Sequence, residues 1–291
     1  MQYPIVHVQT QDGHTLHGLL SEPTVSSKTI IIHVHGTAGS FYWSNYFKNI
    51  VSASNNLGIS FLSTNNRGSG VYEIEKGSNY EGASIEKFED SIFDIDAWIN
   101  FAINHGYEKI ILEGHSFGTE KCVYYMNKGK HLDKVIGVIL LGFSDTIGTQ
   151  DKYEKRIDKN YLSEARELVD QGMGDNLISD TFGLAGELPI SASTYINFFS
   201  SSSELSKALP FRNGHNLEYL KNIQVPILGV ISDKEDGEYT IIPIRDAIQL
   251  MKSENKLAEA YQIKNTDHLF TGKEEDLASI IESFIKRRIL R

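Results

Sequence analysis

Lys109-Ile110-Ile111-Leu112-Glu113-Gly114-His115-Ser116-Phe117-Gly118-Thr119-Glu120-Lys121-Cys122-Val123-Tyr124-Tyr125-Met126 passes from an apolar, strand-like run through a glycine-flanked serine into a helix-like run. A strand that turns into a helix through one residue leaves that side chain proud of the sheet edge. Gly114 and Gly118, two residues either side of Ser116, let the turn be tight without a Cβ clash against the adjacent strand and helix. The exposed Oγ can then attack a carbonyl while the helix N-terminus faces the charge that develops. Gly-x-Ser-x-Gly alone occurs by chance in many chains. The strand before it and the helix after it give the pattern its weight here.

The same alternation extends in both directions. Ile5–Val8 and Leu16–Leu20 flank Gln11-Asp12-Gly13-His14, an Asp-Gly turn that predicts a β-hairpin. Residues 29–34 form a β-branched run too apolar for a one-sided strand, so burial on both faces of a sheet is expected. A helix is predicted near 42–55 and a short strand at 58–62. Ile85, Phe88, Ile92, Ile95, Ile99 and Ala102 recur at steps of three and four, marking an amphipathic helix with Ser84 as its N-cap, ending near Gly106. After the serine turn comes a strand over 134–141. Strands alternating with helices imply crossover units and a mainly parallel sheet.

That rhythm breaks after Gly142 and resumes at Val225. The intervening residues contain a charged helical stretch (159–171) and the aromatic segment Tyr195-Ile196-Asn197-Phe198-Phe199. The division predicted is an α/β core over 1–144 and 221–291, with a helical lid inserted at 145–220. A strand at 225–231, a helix at 243–253, a strand at 258–263 and a helix at 273–286 complete the core.

A chain of 291 residues can bury one large core. Its formal net charge of −10 argues against nucleic acid or an anionic membrane as partner, because no broad basic surface is available to neutralise phosphates. Anionic substrates are not excluded by the mean charge, since one local Arg or Lys can override it. The single Cys122 cannot form an internal disulfide and reads as a buried small hydrophobe. The N-terminus lacks a basic segment followed by a long apolar one, and no run of eighteen apolar residues occurs. Cytoplasmic localisation is the default, as a monomer or homodimer. No metal-ligand spacing and no phosphate-cradling glycine loop is visible, so no cofactor or metal is expected.

A serine hydroxyl needs a base to take its proton and an acid to orient that base. His268, in Asn265-Thr266-Asp267-His268-Leu269-Phe270 after the last predicted strand, is the candidate base. The acid should follow the strand at 225–231, where Asp233, Glu235 and Asp236 crowd together; Asp236 is the first choice, with Glu235 and Asp233 as alternatives. Two main-chain amides should hold the oxyanion: Phe117 N–H, and Thr37 N–H in the loop His35-Gly36-Thr37-Ala38-Gly39-Ser40. His33 and His35 beside that loop read as backbone supports, and Arg67 as a structural tie.

These pieces together resemble the α/β-hydrolase superfamily. The resemblance is carried by His35-Gly36, Asn66-Arg67-Gly68-x-Gly70, Gly114-His115-Ser116-Phe117-Gly118, Val225-Pro226-Ile227-Leu228 with its acidic loop, and Asp267-His268, in the family's order of serine, acid and histidine. It implies an eight-stranded, mostly parallel sheet flanked by helices with a hairpin start, an inserted lid over the C-terminal strand ends, and no cofactor. Two positions depart from the family pattern. Ser232 opens the acidic loop where a glycine is usual, and Asn65-Asn66 stands where many relatives carry an aspartate.

The activity so implied is a serine hydrolase cleaving a carboxylic ester of a small or medium-sized substrate through an acyl-enzyme. Amides, thioesters, lactones and carbon–carbon bonds are alternatives on the same triad, and a small-molecule receptor with little turnover is the alternative of another class. Tyr195, Phe198, Phe199 and Phe211 from the lid, with Tyr42 and Trp43 from the oxyanion side, are expected to line an apolar substrate pocket.

Overall fold

The computed structural model describes residues 4–25, 27–74, 80–234 and 236–290. Its first strands, β1 (Ile5–Gln9) and β2 (Thr15–Ser21), pair antiparallel across the Asp12-Gly13 turn, with His7 opposite His17. β3 (Thr29–Val34) is buried along its whole length, as its apolar run predicts. Helix α1 (Phe47–Asn56) starts later than the sequence suggests and leads to β4 (Ser60–Thr64). A small hairpin, β5 (Glu73–Ile74) with β6 (Tyr80–Glu81), stands apart from the main sheet.

α2 (Ser91–Asn104) follows a 3-10 turn at Phe88–Asp90. Ser84 does not cap this helix. Its Oγ donates to the Pro189 carbonyl, tying the approach to α2 to the segment beyond β8 instead. β7 (Lys109–His115), α3 (Phe117–Lys128) and β8 (Val135–Leu141) form the centre. The helices α4 (Thr146–Ile157), α5 (Tyr161–Asp170), α6 (Ala192–Phe199), α7 (Leu205–Ala208) and α8 (Glu218–Asn222) come before β9 (Ile227–Ile231). α9 (Ile244–Glu254), β10 (Ala258–Gln262) and α10 (Glu274–Phe284) follow, and α10 runs on into a π-helical turn at Ile285–Ile289.

The main sheet has eight strands in the order β1-β2-β4-β3-β7-β8-β9-β10, parallel from β4 to β10. Side chains alternate across a strand, so consecutive residues serve opposite cores. Ile30, Ile32, Ile110 and Leu112 join the core shared with α2, α3 and α9. Ile31, Ile111 and Ile139 join the smaller core under α1 and α10. Both faces are covered, which is why these strands read as continuous apolar runs. Each isoleucine so buried contributes roughly 2 kcal/mol before the entropy of ordering is counted. Among the described residues, no helix is long and apolar enough to cross a membrane.

Candidate active site

Ser116 sits between β7 and α3 with φ 54° and ψ −128°, a conformation that costs a non-glycine residue about 1–3 kcal/mol. The surroundings enforce it. Ser116 N–H donates to the Leu141 carbonyl at 2.9 Å, and its own carbonyl accepts from Thr119 N–H at 2.8 Å and Thr119 Oγ1 at 2.6 Å. The flanking glycines are needed for close approach. A Cβ on Gly114 would lie 2.3 Å from the Gly118 oxygen, and one on Gly118 would lie 2.2 Å from the Val34 oxygen.

The loop after β3 arrives beside the serine. A Cβ built on Gly36 would stand 2.8 Å from Ser116 Cβ and 3.4 Å from its Oγ. Gly39 N–H closes a turn onto the Gly36 carbonyl at 3.2 Å, with Ala38 at φ 51°. Among the described residues, neither Thr37 N–H nor Phe117 N–H donates to another protein group. Two amides on either side of one hydroxyl are thus left without partners, one of them in the first turn of a helix.

His35 holds this loop through both ring nitrogens. Nδ1–H donates to the Gly36 carbonyl at 2.7 Å, and Nε2 accepts from Asn66 N–H at 3.1 Å. Only a neutral imidazole can do both, and burial pushes its pKa down to about 3. Asn66 continues the support, its Oδ1 accepting from Gly68 N–H and from Lys121 Nζ. Lys121 is buried against Glu86 at 2.5 Å, and Arg67 grips Asp94 and Asp12. Asn66 therefore braces the loop after β4 by accepting from a buried lysine. Arg67 is a tie between loop and helix, remote from the serine's cavity.

His268 reaches the site from the loop after β10. Its ring stacks on Tyr239 with centroids 3.9 Å apart and planes within 15°. On another side a Cβ at Gly142 would stand 2.9 Å from its Cε1. His115, one residue before the serine, donates from Nε2 to the His268 carbonyl at 2.9 Å. Asp267 accepts from Leu269 N–H and Thr271 N–H, which shapes the loop. Among the described residues neither His268 ring nitrogen has a hydrogen-bond partner, so the imidazole is not bonded to Ser116 Oγ. Burial and the nearby His115 hold its pKa well below the usual histidine value, against a smaller opposing pull from Asp267.

Among the described residues, no carboxylate of the β9–α9 loop bonds this ring. Asp236, the first choice for the triad acid, turns instead to the start of α9, where Oδ1 accepts from Ile244 N–H at 2.7 Å. The first turn of a helix carries free N–H groups, and a nearby carboxylate satisfies one of them. Asp233 accepts from Thr266 N–H at 3.3 Å. Glu235 lies outside the described residues.

Ser116 and His268 do line one cavity of about 210 Å³, together with Gly36, Thr37 and His115. The expected aromatic lining is largely absent. Trp43 is at the wall, but Tyr42 is 73% exposed and packs on Phe41. Tyr195 is buried with its hydroxyl between Gln150 and Glu154, and Phe199 packs on it. Phe198 packs on Phe117, and Phe211 on Phe143. Phe198 and Phe211 thus join the segment after β8 to the core, while Tyr195 and Phe199 pack within that segment, because large apolar rings gain more from burial than from a half-wet wall. The wall is built from Ser144, Thr146, Thr149 and Tyr239, with Leu184, Ala185 and Glu187 closing it. Nothing in local periodicity marks these residues; only the position of Ser144 and Thr146, just past a central strand, hints at them.

The chain can now be set beside known proteins. The α/β hydrolase GrgF from Penicillium sp. sh18 superposes with a TM-score of 0.70 at 17% identity, covering 100% of both chains. Est1E from Butyrivibrio proteoclasticus, solved with ferulic acid bound, gives 0.65 at 15% identity, over 98% of this chain and 100% of that one. The Pyrococcus furiosus esterase Pf2001 gives 0.60 at 16% identity, over 99% and 92%. At such identities the likeness speaks for the fold. None of the curated proteins matches the chain. The family model described as "Protein of unknown function (DUF1749)" matches residues 12–272, so this chain belongs to that family, built on the α/β-hydrolase fold.

Proposed function

We propose that the protein is a cofactor-independent serine hydrolase that cleaves a carboxylic ester through an acyl-enzyme. The observation that carries the reading is Ser116, strained at the β7–α3 turn and sharing one cavity with His268 and the unpartnered Thr37 amide, with the unpartnered Phe117 amide next to it in the chain. Ser116 Oγ attacks the carbonyl carbon as His268 takes its proton. The carbonyl π pair moves to oxygen, where Thr37 and Phe117 N–H hold it. Collapse expels the alcohol, protonated by the imidazolium. Water, deprotonated by His268, then releases the acid and restores the serine.

The neutral state of His268 suits a base, and the Tyr239 stack with the His115 tether supplies orientation that a carboxylate alone would otherwise provide. We assign stabilisation of the imidazolium to the 233–236 loop. Asp233→Asn, Glu235→Gln and Asp236→Asn separate its members, since loss of the true acid costs about ten-thousand-fold in kcat. The segment 145–220 acts as the lid, a role supported by Leu184 and Glu187 on the cavity wall.

Turnover of a panel of short p-nitrophenyl esters tests the reading. Ser116→Ala and His268→Ala should abolish it while the circular dichroism spectrum stays unchanged; equal activity in Ser116→Ala would exclude it.

A further inference from the structure

The cavity has a charge character that neither the net charge nor the motif foretells. Among the described residues, no lysine or arginine lines it, although four histidines do. His33, His35 and His115 are buried and held neutral, with pKa values pushed down to about 3, 3 and 4.

The wall from 144 to 149 adds a second property. Its three hydroxyls bond behind the surface. Thr146 Oγ1 and Ser144 Oγ both meet Glu120 Oε2, the latter at 3.3 Å, and because burial raises that carboxyl to about 8, one of the two accepts its proton at neutral pH. Thr149 Oγ1 donates to the Asp145 carbonyl at 3.1 Å. A hydroxyl whose proton is engaged has only lone pairs left to offer. Thr149 therefore presents only an acceptor to anything bound.

Glu187 completes the set. It lines the cavity, and its carboxylate makes no hydrogen bond or ion pair with any described residue. The turn that carries it is firmly seated. Ala185 at φ 52° and Gly186 at φ 80° shape it, and Ala185 N–H donates to the buried Gln150 at 2.7 Å. Glu187 N–H returns to the Leu184 carbonyl at 2.9 Å. An unpaired carboxylate on a fixed turn, in a cavity that no described lysine or arginine lines, disfavours an anionic ligand and attracts a cationic one.

We propose that this cavity selects small esters that carry a cationic nitrogen, recognised by Glu187 and by the acceptor oxygen of Thr149. The proposal rests on the hydrolase reading of Ser116. A single charge at several ångströms in a partly solvated site is worth about tenfold in affinity.

The test is competition against labelling of Ser116 by a neutral fluorophosphonate, which reads binding whether or not an ester turns over. Two matched pairs place the charge on either side of the scissile bond. These are p-nitrophenyl β-alaninate against p-nitrophenyl butanoate, and acetylcholine against 3,3-dimethylbutyl acetate. In at least one pair the cationic ester should protect at about tenfold lower concentration, and Glu187→Gln should bring that pair to equality. Equal protection within both pairs, or a preference that survives Glu187→Gln, overturns the proposal and leaves the hydrolase reading standing. Failure of Ser116 to label at all strikes the hydrolase reading instead.

Discussion

His115 Nε2 lies 2.9 Å from the main-chain oxygen of His268, so the residue before the nucleophile holds the loop that carries the base. A carbonyl oxygen can only accept, which places the proton of His115 on Nε2. Side-chain alternation along β7 explains the reach: Ile111, Glu113 and His115 share the α1/α10 face, where His115 meets Tyr46 and Phe270. The sequence motif alone shows a histidine beside a serine and nothing of this tie.

Removing the donor should displace the base by a fraction of an ångström and lower kcat with little change in KM. His115→Leu is expected to lose about ten- to a hundredfold in kcat, and His115→Gln, which keeps an N–H, should recover part of it. A purely structural role would lower thermal stability in both variants and leave the kcat-to-KM split unchanged. Steady-state kinetics beside thermal unfolding separate the two.

The pH profile follows from His268. A general base works only as the free imidazole, and burial with the neighbouring His115 keeps its conjugate acid weak. The acid limb of kcat/KM should therefore fall below the ordinary histidine value of 6.5. A midpoint at or above 6.5 would show that a carboxylate holds the imidazolium in the free enzyme.

Lys121 and Glu86 form an ion pair with both side chains 1% exposed, beneath the Asn66 loop. Breaking such a pair leaves one buried charge without compensation. Lys121→Met should cost about 3–5 kcal/mol, while the double variant Lys121→Met, Glu86→Leu should cost much less. Urea unfolding midpoints at constant slope give both values.

Stability against pH carries a second signature. His33, His35 and His115 bind protons in the unfolded chain near 6.5 but in the fold only near 3 to 4. Their contribution is complete above 6.5 and is lost as pH falls through that window. Glu113 and Glu120 move oppositely: burial raises both to about 8, so their contribution is present at low pH and is lost as pH rises from 4.5 to 8. Each group changes stability by about 1.4 kcal/mol per pH unit within its window. The melting temperature should peak near pH 6.5 and decline on both sides. A monotonic rise from pH 5 to 8 would contradict this.

How much of this was legible in the sequence depended on how locally each feature is determined. The serine turn is written in ten residues, because strand, glycines and helix together force its geometry. The mainly parallel sheet followed from buried runs separated by helices and its eight strands from the resemblance, whereas the order β2-β4-β3-β7 was not read from the sequence. The partner of His268 was not legible. Spacing cannot tell which of three adjacent carboxylates faces inward, and Asp236 is drawn to free amides on a helix that lies nearer. The aromatics after β8 misled for a related reason. A ring suited to a pocket is equally suited to the joint between two layers, and only the long-range packing of Phe198 on Phe117 or Phe211 on Phe143 decides. The polar wall that replaced them comes from residues with no periodic signal.

The central claim is that Ser116 is an activated nucleophile. It is tested most directly by treating the purified protein with a fluorophosphonate and reading intact mass and peptide map, beside Ser116→Ala and His268→Ala. The account predicts one adduct, on Ser116, absent from Ser116→Ala and slowed at least a hundredfold in His268→Ala. A folded protein that takes up no label, or is labelled elsewhere with Ser116 untouched, would contradict it.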